Sequence, residues 1–242
     1  MSGALRGEKP GGMQTGWGDF GSEAEAYEFG RPGWPLAAID AVGLPREAEV
    51  LDLGAGTGKL TRMLALRFAR VHAVEPDPEM RRFILGALAG TAESIPLADR
   101  SVDAVFIGEA FHWFCDDAAV AEIARVLRPH GTLALLWNVP LNDVIPDEVR
   151  RVVPHAPLGK FLTGEWRRAL EDGPFGAIEE NTFEHETLLS RDELVAFYSS
   201  FSWIASQPPD ARRAEIERFA AALRGSSHLR RLRTELYRTV LR

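Results

Sequence analysis

The spacing of apolar and polar positions changes period repeatedly along the chain. Residues 49–53 (EVLDL) form a short apolar run that ends in the glycine-rich GAGTG. From Lys59 to Phe68 the apolar residues Leu60, Met63, Leu64 and Phe68 recur at helical spacing, which predicts an amphipathic helix. A second strand is predicted over Val71–Val74, ending at Glu75-Pro76. Met80, Phe83, Ile84, Ala87 and Leu88 return to the helical period, and Asp103–Ile107 reads as a strand again. Val120, Ile123, Ala124 and Leu127 make the buried stripe of a helix capped by Asp116 or Asp117 and closed by Pro129 and Gly131. Thr132–Trp137 is the next strand. Strands and helices in alternation predict a mostly parallel sheet with helices on both faces.

The flanks read differently. Residues 1–20, rich in glycine and poor in aliphatics, are expected to be a flexible tail. A short helical patch, SEAEAYEF, leads into GRPGWP, whose prolines enforce extended or turn geometry, and a short helix follows over Leu36–Val42. In 138–176 the prolines at 140, 146, 154, 157 and 174 break the rhythm into mostly helical pieces, the pattern of a lid or binding lobe on the acceptor side. A strand is predicted over Ala177–Glu184, then a helix through Ala205 opened by a capping box of Ser190 and Glu193. Another helix spans about Asp210–Leu223, with Gly225 suited to its stop. Leu229–Arg242 fits a basic amphipathic helix, but TELYRTVL also alternates as a strand does.

Composition narrows the classes. With 242 residues, 45% hydrophobic and 26% charged, the chain has ordinary globular proportions and length for a real core, so 21–242 reads as one domain. Lys and Arg total 28 against 35 Asp and Glu, a net charge of −7 that disfavours bulk nucleic-acid binding. Cys115, the one cysteine, excludes an internal disulfide framework and a zinc-finger cluster. No apolar run approaches the roughly 20 residues of a bilayer span. The first residues lack the apolar core of a signal peptide, so the expected address is the cytoplasm.

The informative stretch is VLDLGAGTGK, residues 50–59. Glycines at 54, 56 and 58 sit where a strand passes into a helix, and glycine there permits positive φ and close approach of a ligand to the backbone. Open α/β sheets bind ligands at the carboxyl ends of their strands, where this turn lies. A phosphate-binding P-loop is excluded: Leu53 replaces its first glycine and Leu60 its Ser/Thr. The dinucleotide pattern GxGxxG is replaced by GxGxG. Glu75, at the end of the second strand, is a carboxylate placed to accept from ribose hydroxyls. The combination points to an adenosine-containing ligand without a pyrophosphate.

VLDLGAGTGKLT, VHAVEPDPEM, GTAESIPLADRSVDAVF, EAFHWF and ARVLRPHGTLALLWN together resemble the class I S-adenosylmethionine-dependent methyltransferases, which have a Rossmann-like fold. They are most similar to the small-molecule branch of trans-aconitate methyltransferase-like, type 11 proteins, whose entry motif YEFGRPGWP resembles. The likeness covers residues 23–139 well and 177–242 more loosely. It implies a doubly wound, seven-stranded, mostly parallel sheet whose last strand, within about Thr234–Leu241, is antiparallel. It implies that Gly54, Ala55, Gly56 and Gly58 cradle the methionine part of S-adenosylmethionine, and that Asp52 orients this loop or accepts from the amino group. Glu75 would bind the ribose, Pro76, Asp77 and Met80 would border ribose and adenine, and Ala92 and Glu93 would flank the adenine edge. Glu109 and Ala110 would line the methyl-transfer side, while Tyr27 and Arg31 would close over the cofactor, Arg31 pairing its carboxylate. Between Glu79 and Gly90 a full helix and a full strand cannot both fit, so one must be short.

The resemblance implies transfer of the methyl group to a small-molecule acceptor by a monomer or homodimer, with no nucleic acid or membrane as partner. Phe111, His112, Trp113 and Phe114 follow the strand at 103–107, near where the methyl group would sit. They read as an aromatic acceptor wall with His112 as general base, or as an anchored helix start in which His112 bonds to backbone. Trp34, Trp137, Asn138, Trp166 and Trp203 could join the pocket, although tryptophan is more often core. His112, Cys115, Asp116 and Asp117 lack the spacing of a metal site, so no metal is expected. The arginines at 230, 231, 233, 238 and 242 read as a solvated helix face or a charge-protected edge before a nucleic-acid patch. A macromolecular methyltransferase and a non-catalytic cofactor-binding protein are the alternatives.

Overall fold

The computed structural model describes residues 24–141 and 164–242. The tail at 1–20 and most of the lid at 138–176 therefore lie outside the described residues, as does the side chain of Trp203.

The first helices, α1 (Ala24–Gly30) and α2 (Leu36–Asp40), precede the sheet. Strand β1 (Glu49–Leu53) leads through the glycine turn to α3 (Lys59–Ala65), and β2 (Arg70–Val74) leads to α4 (Pro78–Arg81). Strand β3 (Val102–Gly108), a 3-10 turn (Phe111–Trp113), α5 (Asp117–Val126) and β4 (Leu127–Pro140) follow. Asp116 is the cap of α5, accepting from Ala119 N–H at 2.9 Å. Then come α6 (Glu165–Glu171), β5 (Glu179–Ser190), α7 (Arg191–Ser199), α8 (Ser202–Ala205), α9 (Pro209–Ala222) and β6 (Ser227–Val240). The capping box forms as expected: Glu193 N–H donates to Ser190 Oγ at 3.2 Å, and Ser190 N–H to Glu193 Oε2 at 2.8 Å.

Among the described residues the sheet has six strands in the order β2-β1-β3-β4-β6-β5, which corrects the expected seven. β1, β2, β3 and β4 run parallel, and β6 is antiparallel to both β4 and β5. The missing strand is reduced to one parallel bridge between Val74 and Leu88. The predicted helix is cut short as well, since α4 ends at Arg81. Residues 95–99, just before β3, are held by a side chain of α5. Arg125 donates to the carbonyls of Ile95 and Leu97 at 2.9 Å each, and to Glu122 and Asp99 at 2.7 Å each. All three of its nitrogens are thereby engaged by the loop or its own helix.

Side-chain alternation builds the two main cores. Leu51, Leu53, Val105, Ile107, Leu133 and Leu135 face α5 and α6, packing on Val120, Ile123, Trp166 and Leu170. Val50, Ala104, Phe106, Ala134 and Leu136 face the other way, onto Ile39, Leu60, Leu64 and Phe68. A third cluster joins Leu194, Phe197 and Tyr198 of α7 to Ile204 and Phe219, with Tyr198 and Phe219 stacked at 3.9 Å. Helix α1 crosses α7 at Gly30, where a Cβ would lie 2.1 Å from Phe197 N.

Candidate active site

The order β2-β1-β3 means that the chain leaves β1 to one side and later returns on the other. The crevice at the carboxyl ends of β1 and β3 is the topological switch point. Residues 54–58 turn there. Gly54, Gly56 and Gly58 have φ of 69°, 58° and 85°, values that a side chain would oppose. Gly54 and Ala55 N–H both donate to Val74 O, at 2.9 and 3.1 Å, which ties the turn to the end of β2. A Cβ on Gly56 would meet only Tyr27 Cε1 within 4 Å, at 3.9 Å, whereas one on Gly58 would lie 2.6 Å from Ile84 Cγ1.

Two acceptors of this turn are buried and unpaired among the described residues. Asp52, 1% exposed, takes a 2.6 Å hydrogen bond from Thr61 Oγ1 on Oδ2, but its Oδ1 has no partner. Burial pushes its carboxyl up to about 7, despite the Thr61 hydrogen bond. Thr57, fully buried, has an unpartnered Oγ1.

Glu75 bridges the turn and the next loop. Its Oε2 accepts from Gly56 N–H at 2.8 Å and its Oε1 from Asp77 N–H at 2.9 Å. Burial holds its carboxyl above the usual range, opposed by these two backbone hydrogen bonds. Asp77 caps α4 through Oδ1, Pro76 O accepts from Arg81, and Met80 is buried. Ala92 lies in the core and Glu93 beside it is half-buried.

Beyond β3, Glu109 adopts φ 57° and accepts from Asn138 N–H on Oε1 at 2.6 Å. Burial raises its carboxyl above the ordinary range, and the nearby Arg31 charge opposes this. Ala110 abuts the glycine turn, 3.2 Å from the position of a Cβ on Gly54. Tyr27 of α1 lies within electrostatic reach of Asp52, Glu75 and Glu109. Arg31 is enclosed by the rings of Tyr27, Phe197 and Phe201 at 5.0–5.3 Å, and its Nε donates to Ser200 Oγ at 2.9 Å.

Residues 51–135 match the family described as a methyltransferase domain. An uncharacterised methyltransferase of Mycobacterium bovis is 40% identical over 210 residues, covering 82% of this chain and 83% of that relative. The chain belongs to the methyltransferase domain family. A malonyl-[acyl-carrier protein] O-methyltransferase of Methylococcus capsulatus is 43% identical over 112 residues, 41% of this chain and 40% of that protein. The fold is shared with a protein assigned as a type II methyltransferase of Anaeromyxobacter dehalogenans, at a TM-score of 0.63 and 24% identity over 88% of this chain and 97% of that one.

The cofactor of this family is S-adenosylmethionine. The residues of the methyltransferase fit it. A turn whose backbone only glycine adopts easily, and buried acceptors at Asp52 and Thr57 without partners among the described residues, make a polar cradle.

The aromatic wall needs correction. Phe111 is fully buried and Trp137 is 2% exposed, both inside the core on α5 and α6. Trp34, 7% exposed, belongs to the opposite core, pressed on Gly108. Their ring area gains more by packing than by lining a cleft. Asn138 is spent on structure, donating to Gly33 O at 3.1 Å and accepting from Thr234 Oγ1 at 2.6 Å. Trp113 and His112 remain half-buried, 5.1 Å apart between ring centres. Trp137 Nε1 donates to His112 Nδ1 at 3.3 Å, which occupies the lone pair of that ring nitrogen.

Sequence reasoning missed Thr61, which holds Asp52, and Ser200, which holds Arg31. Thr61 stands one helical turn past the glycine motif and could have been found by that spacing. Ser200 is 169 residues from Arg31 and carries no local signal. The terminal arginines form a charge-protected strand: Arg231 pairs with Glu186, Arg233 with Glu235 and Arg238 with Glu179.

Proposed function

We propose that this methyltransferase transfers the methyl group of S-adenosylmethionine to a small-molecule acceptor in the crevice beyond β1 and β3. The observation that carries the reading is the pair of buried, unpartnered acceptors at Asp52 and Thr57 under a positive-φ glycine turn. When bound, the cofactor supplies an activated methyl group on a sulfonium. Gly54, Ala55, Gly56 and Gly58 hold its amino-acid part, with Asp52 beneath, and Glu75 faces the ribose. Pro76, Asp77 and Met80 border that end, with Ala92 and Glu93 on the adenine edge. Tyr27 and Ala110 enclose the reacting end, Tyr27 standing over Gly56. Arg31 supports the closure by locking α1 to α7 and Ser200.

A small acceptor is supported by the net charge of −7, which disfavours a phosphate backbone, and by the cross-strand pairing of Arg231 and Arg238 with glutamates. No described helix is long and apolar enough to cross a membrane. Titration calorimetry with S-adenosylmethionine and S-adenosylhomocysteine, followed by tritium transfer from the methyl-labelled donor into small-molecule extracts, tests the reading. Saturable binding and label in a low-mass product are the expected results. Absence of binding refutes the donor, and label recovered only in protein or RNA refutes the acceptor class.

A further inference from the structure

The glycine turn is tied to helix α1 by one side chain of α3. Arg62 donates through Nη1 to Thr57 O at 3.0 Å and through Nη2 to Glu28 Oε1 at 2.6 Å. Its Nη1 also lies 3.3 Å from the position of a Cβ on Gly58, so the guanidinium is seated against the turn. A planar fork makes both bonds at once, where an ammonium would hold neither angle. Glu25, three residues before Glu28 and on the same helix face, accepts from Arg82 Nη2 at 3.0 Å, just past α4. Between the two glutamates Tyr27 stands 3.9 Å from the position of a Cβ on Gly56. Helix α1 is thereby fastened both to the turn and to the loop that follows Glu75.

The two ends of α1 are held unequally. At Gly30 its backbone presses on α7 so closely that a Cβ would lie 2.1 Å from Phe197 N. Arg31, beside it, is enclosed by three rings and bonded to Ser200. The other end is held by ion pairs in contact with water, with Arg62 50% and Glu25 82% exposed, and by the single buried methyl group of Ala24. Ion pairs of this kind are cheap to break and are screened by salt.

We propose that Arg62 is a positioning residue that couples α1 to the cofactor turn: the cofactor enters and leaves when Glu25 and Glu28 release Arg82 and Arg62 and α1 turns away about its fixed end at Gly30. The inference rests on the cofactor reading above. When the pairs re-form, Tyr27 returns over Gly56 and Arg62 again holds the Thr57 carbonyl, so closure and the shape of the turn go together.

The test measures exchange of S-adenosylhomocysteine on the full chain, with tritiated ligand bound and then displaced by excess unlabelled ligand, and association followed by rapid filtration. Glu25→Gln and Glu28→Gln together are expected to raise the dissociation and association rates alike, roughly three- to tenfold, with affinity changed less than either rate. Loss of an ordinary binding contact would raise dissociation only. In the wild type, going from about 50 mM to about 500 mM NaCl is expected to speed exchange, and in the double variant to have little effect. Arg62→Met is expected to speed exchange and also to weaken affinity, because the turn loses its hold on the Thr57 carbonyl. Bound ligand is expected to slow amide hydrogen exchange in residues 24–30 of the wild type more than in the double variant. Exchange rates unchanged in the double variant, or wild-type exchange indifferent to salt, overturn the latch. Arg62→Met with wild-type affinity overturns the coupling to the turn. The salt series needs no variant, so it decides the latch even where a substitution fails to fold. Failure of the wild type to bind S-adenosylhomocysteine refutes the donor reading itself, which separates the two failures.

Discussion

Asp52→Asn should make the unliganded protein more stable at alkaline pH and equally stable in acid. Asp52 is 1% exposed at the end of β1, with one oxygen held by Thr61 and the other unpaired among the described residues. Burial lifts its carboxyl from an ordinary 3.8 to about 7 in the fold. Between those values the folded state binds a proton that the unfolded chain has released, so stability falls as pH rises from about 4 to 7. Three pKa units at about 1.36 kcal/mol each make the full loss on the order of 4 kcal/mol. Asparagine keeps a carbonyl oxygen for Thr61 and carries no charge at any pH, so it escapes this penalty. Urea unfolding of both proteins from pH 4 to pH 8.5 measures the difference. Glu49, Asp103 and Glu122, whose carboxyls ion pairs and hydrogen bonds hold low, slope the other way but cancel between the two proteins. The variant should gain on the wild type through the neutral range and plateau near pH 8. A difference that does not change with pH, or a variant less stable at pH 8, refutes the burial argument. A cationic ligand seated on Asp52 should restore its ionisation. S-adenosylmethionine binding near pH 7 should then release about half a proton, read by calorimetry in buffers of different ionisation heat, and the variant should release none.

Two glycines of the turn should separate folding from binding. Gly58→Ala, with its Cβ 2.6 Å from Ile84 Cγ1 at φ 85°, should cost about 2–5 kcal/mol of stability by urea unfolding. Gly56→Ala, with its nearest contact at 3.9 Å, should cost about 1–2 kcal/mol yet lose S-adenosylmethionine affinity by calorimetry; unchanged affinity would move the cofactor off the turn. Glu75→Ala strips the acceptor from Gly56 N–H and Asp77 N–H and should lower stability by about 1–3 kcal/mol for each group left dry, with weaker cofactor binding besides. His112→Gln should change turnover less than about tenfold and leave its pH profile intact, since Nδ1 is already engaged by Trp137; a lost acid limb would restore His112 as the base.

Local pattern carried the parts of this protein that are decided by neighbours in sequence. The apolar runs at 49–53 and 103–107, the helical stripe after Lys59 and the Asp116 cap all lie within a few residues of where they were read. Gly54, Gly56, Gly58, Asp52 and Glu75 were legible because a strand-to-helix turn needs those residue types at that spacing, whatever surrounds it. The C-terminal segment was not legible. Residues 227–240 become a 14-residue strand because β4 and β5 offer hydrogen-bonding edges on both sides, and Arg231 and Arg238 find glutamates across them. An isolated reading of the same residues weighs a helix equally, since period alone does not see the partner strands.

Tertiary contact also decided which aromatics stay out of the cleft. Trp34, Phe111 and Trp137 sit near the crevice in sequence, but they fill the two cores where large apolar area is buried most completely. The seventh strand is reduced to the single bridge between Val74 and Leu88, and the loop after it is tied to α5 by Arg125 through the carbonyls of Ile95 and Leu97. Arg31 met Ser200 across 169 residues, and Glu109 met the amide of Asn138 across 29. Sequence determined the turn and its chemistry, because those depend on backbone conformation within a few residues. The fold alone decided which charges are buried, which stay paired and which polar atoms among the described residues are left without a partner, because those depend on residues that only the packed sheet brings together.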